Sequence, residues 1–371
     1  MTQPSLIADK IALKKGAVGR LTLNQENTLN SLTLEMVDSL QRYLELWRDD
    51  DTVKLIFIDS IGEKAFCAGG DVQALYRSAI ETPGGPCDYA ETFFASEYRM
   101  NYTLHTYPKP IICWGQGIVM GGGLGVLAAC SHRIVTETTR IAMPEITIAL
   151  FPDVGGSWFL NKMPDNLGRF LALTGASINC TDAIYTGIAD EIFFNESKAT
   201  FLESLCTQDW NNDNHSNHSL TTNTIQNFSD NNSPPPSPGQ IESRLELIKE
   251  LSRKDILSFA AAIANLETED KWMIRARDGM INGSPFAACW IDHQLKITKD
   301  MTLESVFQSE ILLVTNIIRD PDFSEGVRAL LIDKDKSPNW QFPDVNSVPN
   351  DRLEKMFEPP WPKNPLADLG T

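Results

Sequence analysis

The chain has 371 residues, of which 42% are hydrophobic and 22% are charged, a composition typical of a globular protein with a sizeable core rather than a disordered chain. Its formal net charge of −17 repels nucleic acid and anionic membranes, so neither is an expected partner. The seven cysteines include no C-x-x-C pair, which argues against a disulfide framework and against a metal site.

The beginning of the chain, residues 1–15, has neither the basic-then-apolar pattern of a signal peptide nor an Arg-rich transit pattern. No apolar run approaches the roughly 20 residues that a membrane-spanning helix needs. These patterns predict a cytoplasmic protein.

Short strands and helices alternate along the first half of the chain. Residues 18–24 alternate apolar and polar side chains, which predicts a strand, and 33–47 has helical spacing with Ser31 or Thr33 as its cap. Further strands are predicted at 53–58, 110–114, 134–135 and 141–142, and further helices at 124–130 and 167–174. This alternation predicts an α/β fold.

The second half of the chain changes in character. Residues 208–240 are dominated by Asn, Ser, Thr, Asp and Pro, so we predict a flexible polar linker between a core of 1–207 and a C-terminal region of 241–371. Amphipathic helices are predicted at 241–257 and 303–318. An extended, docked tail is expected around 359–362.

Two glycine-rich segments follow predicted strands. One is Ala68-Gly69-Gly70-Asp71, and the other runs from Gly115 to Gly125 with the triplet Gly121-Gly122-Gly123. Glycines at a junction between a loop and a helix let backbone N–H groups approach a ligand, and two facing junctions would stabilise an oxyanion. The alternative is that these glycines only permit tight packing.

Two other uses of glycine-rich sequence are excluded by single residues. A dinucleotide fingerprint beginning at Gly115 requires glycine at position 120, which is Met120. The stretch around Ser157 lacks the last glycine of a serine hydrolase elbow, because position 159 is Phe159.

A third segment, 143–157, carries two carboxylates eight residues apart. Pro144 and Pro152 disfavour a continuous helix, so a loop is predicted that turns Glu145 and Asp153 inward. Apolar neighbours would raise the pKa of such acids, which suits one as base or nucleophile and the other as proton donor. The alternative is that both are surface or helix-capping acids.

Together the three segments resemble the crotonase (enoyl-CoA hydratase/isomerase) superfamily in order and spacing. The resemblance implies a spiral of ββα units followed by a C-terminal helical region, and a homo-oligomer built on trimers. It also implies that the amides of Gly70 and Gly122 form an oxyanion hole, and that Gly69 and Gly122 contact the substrate. The substrate would be an acyl-CoA with CoA as part of it, so no cofactor is expected.

Within the superfamily the sequence most resembles the 3-hydroxyisobutyryl-CoA hydrolases. The resemblance rests on four motifs: residues 93–98, 149–156, 170–175 and 323–335. It implies catalysis by Glu145 and Asp153, a substrate contact from Glu97, and hydrolysis of a short-chain 3-hydroxyacyl-CoA in valine degradation. Hydratases carry a first catalytic glutamate at the position of Gly125, so this chain lacks one of their two acids.

One loop departs from the family pattern. Gln25, Glu26 and Asn27 stand where the family often has Arg-Pro-Lys near the CoA phosphates, and Lys64 or a neighbouring subunit would have to supply that charge. This loop motivates one rival function, a catalytically silent CoA-binding subunit. The other rival is an enoyl-CoA hydratase or isomerase.

Overall fold

The structure is a computed structural model that describes residues 4–235 and 237–371. The strands of this part of the chain are β1 (Leu6–Ala12), β2 (Ala17–Leu23), β3 (Val53–Ser60), β4 (Ala65–Cys67), β5 (Ile111–Gly115), β6 (Ile118–Met120), β7 (His132–Thr136), β8 (Arg140–Ala142), β9 (Ile178–Asn179) and β10 (Glu191–Phe193).

The α-helices of the described residues are α1 (Leu34–Arg48), α2 (Val72–Glu81), α3 (Asp88–His105), α4 (Gly122–Ala129), α5 (Gly156–Asn161), α6 (Leu167–Thr174), α7 (Cys180–Tyr185), α8 (Lys198–Cys206), α9 (Asn214–Asn232), α10 (Leu245–Ser252), α11 (Ile256–Ala264), α12 (Lys271–Asn282), α13 (Pro285–Thr298), α14 (Leu303–Ile318), α15 (Pro321–Val327) and α16 (Asn350–Lys355).

The chain forms two compact units that interleave along the sequence. The first unit contains the chain up to Gly70 together with Met100–Ile141 and Ile178–Gln240, and the second contains Asp71–Arg99, Ala142–Ser177 and Ile241–Thr371. This division differs from the predicted one at 207 and 240, which followed chain order. Helical spacing and glycine runs indicate local structure only. They cannot predict that distant segments of the chain belong to the same compact unit.

The first unit holds both sheets. In the six-stranded sheet the order is β1-β2-β3-β5-β7-β10; β1 is antiparallel to β2, and the other neighbours are parallel. The second sheet has the order β4-β6-β8-β9, with β4 parallel to β6. Thr33, one of the two predicted caps of the first helix, accepts a hydrogen bond from the Met36 amide.

The predicted flexible linker at 208–240 is wrong over most of its length, because α9 occupies 214–232 and packs on the six-stranded sheet. Ile225 is buried in the same cluster as Trp114 and Phe193, and Phe228 packs against that cluster. Asp213 caps the helix by accepting from the amides of two residues in its first turn.

The polar composition of this segment predicted a flexible linker, but the buried polar side chains of α9 form hydrogen bonds with the backbone of their own helix. The hydroxyls of Thr221 and Thr224 donate to the carbonyls of Asn217 and Leu220, four residues earlier, at 2.8 Å each. Such bonds let a polar helix bury one face without leaving groups unpaired. A few well-spaced apolar residues then suffice to anchor it.

The second unit is built mainly from helices. The predicted helices at 167–174 and 303–318 coincide with α6 and α14. The single helix predicted over 241–257 is instead α10 followed by α11, because Asp255 caps a new helix by accepting from the Ser258 amide at 2.9 Å.

Candidate active site

The glycine-rich segments of the first unit lie at the ends of two neighbouring strands. Because β4 and β6 pair in parallel, their carboxyl ends reach the same edge of the sheet, with Cys67 opposite Val119. Gly69 and Gly70 follow β4, and α4 begins at Gly122 directly after β6. The amide of Gly122 opens the helix, so the helix itself offers no carbonyl to accept from it.

Both segments need glycine, one for a close approach and one for its backbone conformation. A Cβ added at Gly123 would lie 2.4 Å from the carbonyl oxygen of Cys67, and one added at Gly69 would lie 3.6 Å from the carbonyl oxygen of Met120. Gly69 also has a φ of +117°, a conformation that favours glycine. The fold therefore requires glycine at 123 for the contact and at 69 for the backbone conformation.

Glu145 lies in a short 3₁₀ turn of the second unit, Glu145–Ile148, and is only 6% exposed. Its apolar neighbours Met143, Ile148 and Phe151 are buried as well. One carboxylate oxygen, Oε2, is buried and accepts no hydrogen bond from any described residue. Burial raises the pKa of Glu145 well above its usual value, and the nearby Asp153 raises it further.

Asp153 lies in the loop that leads into α5 and is 4% exposed. The hydroxyl of Tyr98 donates to its Oδ2 at 2.7 Å. Burial raises the pKa of Asp153 to about 7, although the Tyr98 hydrogen bond acts in the opposite direction.

Glu97 precedes Tyr98 on α3 and is 2% exposed. Its Oε1 is buried and has no hydrogen-bond partner among the described residues. Burial raises its pKa first, and the nearby charge of Asp153 raises it again. Asp153 is thus the common electrostatic neighbour of Glu97 and Glu145, so ionising any one of the three acids disfavours ionisation of its neighbours.

The sequence reasoning missed two residues of this cluster. Tyr98 lies in the motif at 93–98, but the sequence predicted no role for its side chain. Glu310 is fully buried on the apolar face of α14, beside Phe307 and Ile311. An acid at a core position of an otherwise apolar helix is rare unless it has partners, and that pattern was the available signal.

Replacing Tyr98 with phenylalanine is expected to raise the pKa of Asp153, because it removes the hydrogen bond that favours the carboxylate. It should also lower the free energy of unfolding by about 1 kcal/mol through loss of one buried hydrogen bond. The pH dependence of turnover and urea unfolding would measure both effects. An unchanged pH profile would show that Tyr98 does not tune Asp153.

The predicted site residues thus fall into two groups. The fold brings Gly69, Gly70 and Gly122 together in the first unit. It brings Glu97, Glu145 and Asp153 together in the second unit, buried rather than on the surface. That both groups act on one thioester stays a prediction.

Comparison with known proteins places the chain in a family. The Enoyl-CoA hydratase/isomerase family model matches residues 18–357, and the chain belongs to that family. The predicted fold class, an α/β crotonase fold with a C-terminal helical region, is confirmed by this match and by solved structures of the family.

Individual relatives carry more specific names. The chain is 32% identical to "3-hydroxyisobutyryl-CoA hydrolase, mitochondrial" of Gallus gallus, covering 95% of this chain and 89% of that protein. It is 32% identical to "3-hydroxyisobutyryl-CoA hydrolase 1" of Arabidopsis thaliana, covering 93% and 90%. A solved carnitinyl-CoA dehydratase of Mycobacterium thermoresistibile is 30% identical with a TM-score of 0.85, covering 100% of both chains.

In the described ranges, 4–235 and 237–371, there is no helix with the length and apolar character needed to traverse a bilayer.

Proposed function

We propose that this protein hydrolyses 3-hydroxyisobutyryl-CoA to 3-hydroxyisobutyrate and CoA, a step of valine degradation. The observation that carries the proposal is the buried acid pair of one loop: Glu145, whose Oε2 accepts no hydrogen bond from a described residue, and Asp153, with a pKa of about 7. The names of the Gallus gallus and Arabidopsis thaliana relatives support the substrate.

In the proposed reaction, the amides of Gly70 and Gly122 donate to the thioester oxygen and stabilise the negative charge that develops on it. Glu145 either attacks the carbonyl carbon or removes a proton from a water that does so. The carbon–sulfur bond then breaks, and Asp153 gives a proton to the departing thiolate. A pKa of about 7 suits this role, because a proton donor must be protonated in a useful fraction at neutral pH.

Glu97, with Gly69, is proposed to bind the acyl end of the substrate. The buried Oε1 of Glu97, which has no donor among the residues that the structure describes, can accept the 3-hydroxyl hydrogen of the substrate. Substrates without the hydroxyl would leave that oxygen unpaired. The same contact would therefore favour 3-hydroxyacyl groups over plain acyl groups.

Covalent and water-mediated attack can be separated by a single turnover in ¹⁸O-labelled water. In the covalent route water hydrolyses the anhydride between Glu145 and the acyl group, and attack at the Glu145 carbonyl puts the label in Glu145. Label in Glu145 therefore shows the covalent route, whereas label in 3-hydroxyisobutyrate alone is produced both by water-mediated attack and by attack of water at the acyl carbonyl of the anhydride. Mass spectrometry of the peptide that contains Glu145 gives the result.

The rival with specific support is a hydratase or dehydratase, because the solved relative of Mycobacterium thermoresistibile is named a dehydratase. Gly125, buried in α4, places no carboxylate where hydratases carry their first glutamate. One general acid or base contributes about 10²–10⁴-fold to the reaction it serves, so without this acid hydration of crotonyl-CoA should be slower than thiol release from 3-hydroxyisobutyryl-CoA.

Two spectrophotometric assays on the same preparation test this prediction, one for free thiol and one for the crotonyl double bond. Faster hydration than hydrolysis would support the rival. Binding of the CoA ester with neither reaction would support a silent CoA-binding subunit.

Location and assembly remain proposals. The sequence predicts the cytoplasm, whereas the Gallus gallus relative is named mitochondrial, and fractionation of cells that produce the native chain decides between them. A trimer-based homo-oligomer is proposed from the family resemblance, and light scattering would measure it.

A further inference from the structure

The carboxylate of Glu310 binds the backbone turn that follows Asp153. Its Oε2 accepts from the Gly155 amide at 2.8 Å, and its Oε1 accepts from the Ser157 amide at 2.9 Å. Glu310 lies on α14, more than 150 residues away in sequence, and is 0% exposed. A buried carboxylate is costly unless it is hydrogen-bonded, and this one has both oxygens engaged by the turn.

The turn itself has an unfavourable backbone conformation. Val154 has a φ of +53°, in the left-handed region that a β-branched residue rarely adopts, and Gly155 follows at +83°. A residue held in that region costs about 1–3 kcal/mol and persists only where its surroundings fix it. Two hydrogen bonds from the amides of Gly155 and Ser157 to the buried carboxyl group of Glu310 are such a constraint.

Asp153 is joined to this turn on one side and to Tyr98 on the other. Its carbonyl oxygen accepts from the Gly156 amide at 2.6 Å, which closes the turn, and its carboxylate accepts from the Tyr98 hydroxyl at 2.7 Å. Glu310 therefore binds the turn that follows Asp153, whereas Tyr98 binds one oxygen of the Asp153 side chain.

We propose that Glu310 is a positioning residue for the hydrolysis: it holds the Val154–Ser157 turn so that the carboxyl group of Asp153 stays in its working place. The assignment rests on the proposed hydrolase function for the reaction it names. Glu310 is not a catalytic residue, because both of its oxygens already accept hydrogen bonds from backbone amides.

The test is Glu310→Gln, with Glu304→Gln as its matched control. Glutamine is nearly isosteric but offers only one acceptor oxygen, and its NH₂ group would face the second amide donor. Glu304 lies at the start of the same helix, and its replacement makes the same chemical change away from the turn.

In Glu310→Gln we expect kcat for thiol release to fall by about 10–100-fold, because a misplacement of about 1 Å can cost 10²-fold. KM should stay within about threefold, since Glu310 does not touch the substrate. Glu304→Gln should keep the wild-type kcat. A folded Glu310→Gln enzyme with kcat within twofold of wild type would overturn the proposal, because a purely structural residue changes stability alone.

Amide hydrogen exchange supplies a readout that does not need activity. Peptides covering 153–157 should exchange faster in Glu310→Gln than in Glu304→Gln, and equal rates would also overturn the proposal. If the wild-type protein releases no thiol, the proposed function fails while the exchange comparison still decides whether Glu310 holds the turn. Should Glu310→Gln not fold, Glu310→Asp, which shortens the side chain by one methylene, serves in the same two measurements.

Discussion

Replacement of Glu145 by glutamine is expected to lower kcat for 3-hydroxyisobutyryl-CoA by about 10³-fold, the middle of the range for a general acid or base. The amide has nearly the same shape as the carboxylate but can neither attack a carbonyl carbon nor remove a proton from water. The exchange replaces one of the two carboxylate oxygens by an NH₂ group, and Oε2 has no hydrogen-bond partner among the described residues. Stopped-flow or steady-state thiol release measures the effect.

Measuring the stability of Glu145→Gln distinguishes a loss of catalysis from misfolding. Burial disfavours the ionised form of Glu145, so removing the charge offsets the cost of burying an unpaired amide. The free energy of unfolding at pH 8 should therefore stay within about 2 kcal/mol of wild type. Glu246→Gln, at a glutamate whose side chain is 89% exposed on α10, is the matched control and should change neither quantity. A Glu145→Gln enzyme that retains a tenth of wild-type kcat would exclude Glu145 as the attacking group or base.

Replacement of Asp153 by asparagine should lower kcat by about 10²-fold and remove one limb of the pH profile. If Asp153 gives its proton to the thiolate, wild-type turnover falls as pH rises through about 7, where the acid ionises. Asparagine has no proton to give in this range, so the limb disappears. A pH profile of Asp153→Asn with the wild-type shape would show that another group titrates near 7.

The same substitution should change how stability depends on pH. The pKa of Asp153 is about 7 in the folded protein and about 3.9 in an unfolded chain, so the folded state binds more protons between these values. The contribution of Asp153 to the free energy of unfolding is therefore fully present below about pH 4 and is lost as pH rises to about 7.

Urea unfolding at a series of pH values between 4 and 8 should thus give a shallower decline for Asp153→Asn than for wild type. The decline does not vanish, because burial also raises the pKa of Glu310, to about 8. The control is Asp165→Asn, at an exposed aspartate whose φ of +56° asparagine tolerates well. A wild-type slope in Asp153→Asn would show that Asp153 is ionised throughout.

The elements that were predicted correctly are those whose signal is local. Helical spacing placed α6 and α14, and the two prolines placed Glu145 and Asp153 in a stretch without a continuous helix. The resemblance to a family supplied the fold class, which strand and helix patterns alone left as α/β. α9 was missed because its buried threonines bond to their own helix backbone, which composition does not report.

The sequence by itself determined the family, the glycine-rich corners and the pair of acids, because each depends on residue types at short spacing. Only the tertiary structure decided what surrounds those acids. Tyr98 reaches Asp153 across 55 residues, and Glu310 reaches Gly155 across 155, through the packing of α3 and α14. Their pKa values and the turn after Asp153 are set by burial and by partners far apart in sequence, and no local pattern encodes either.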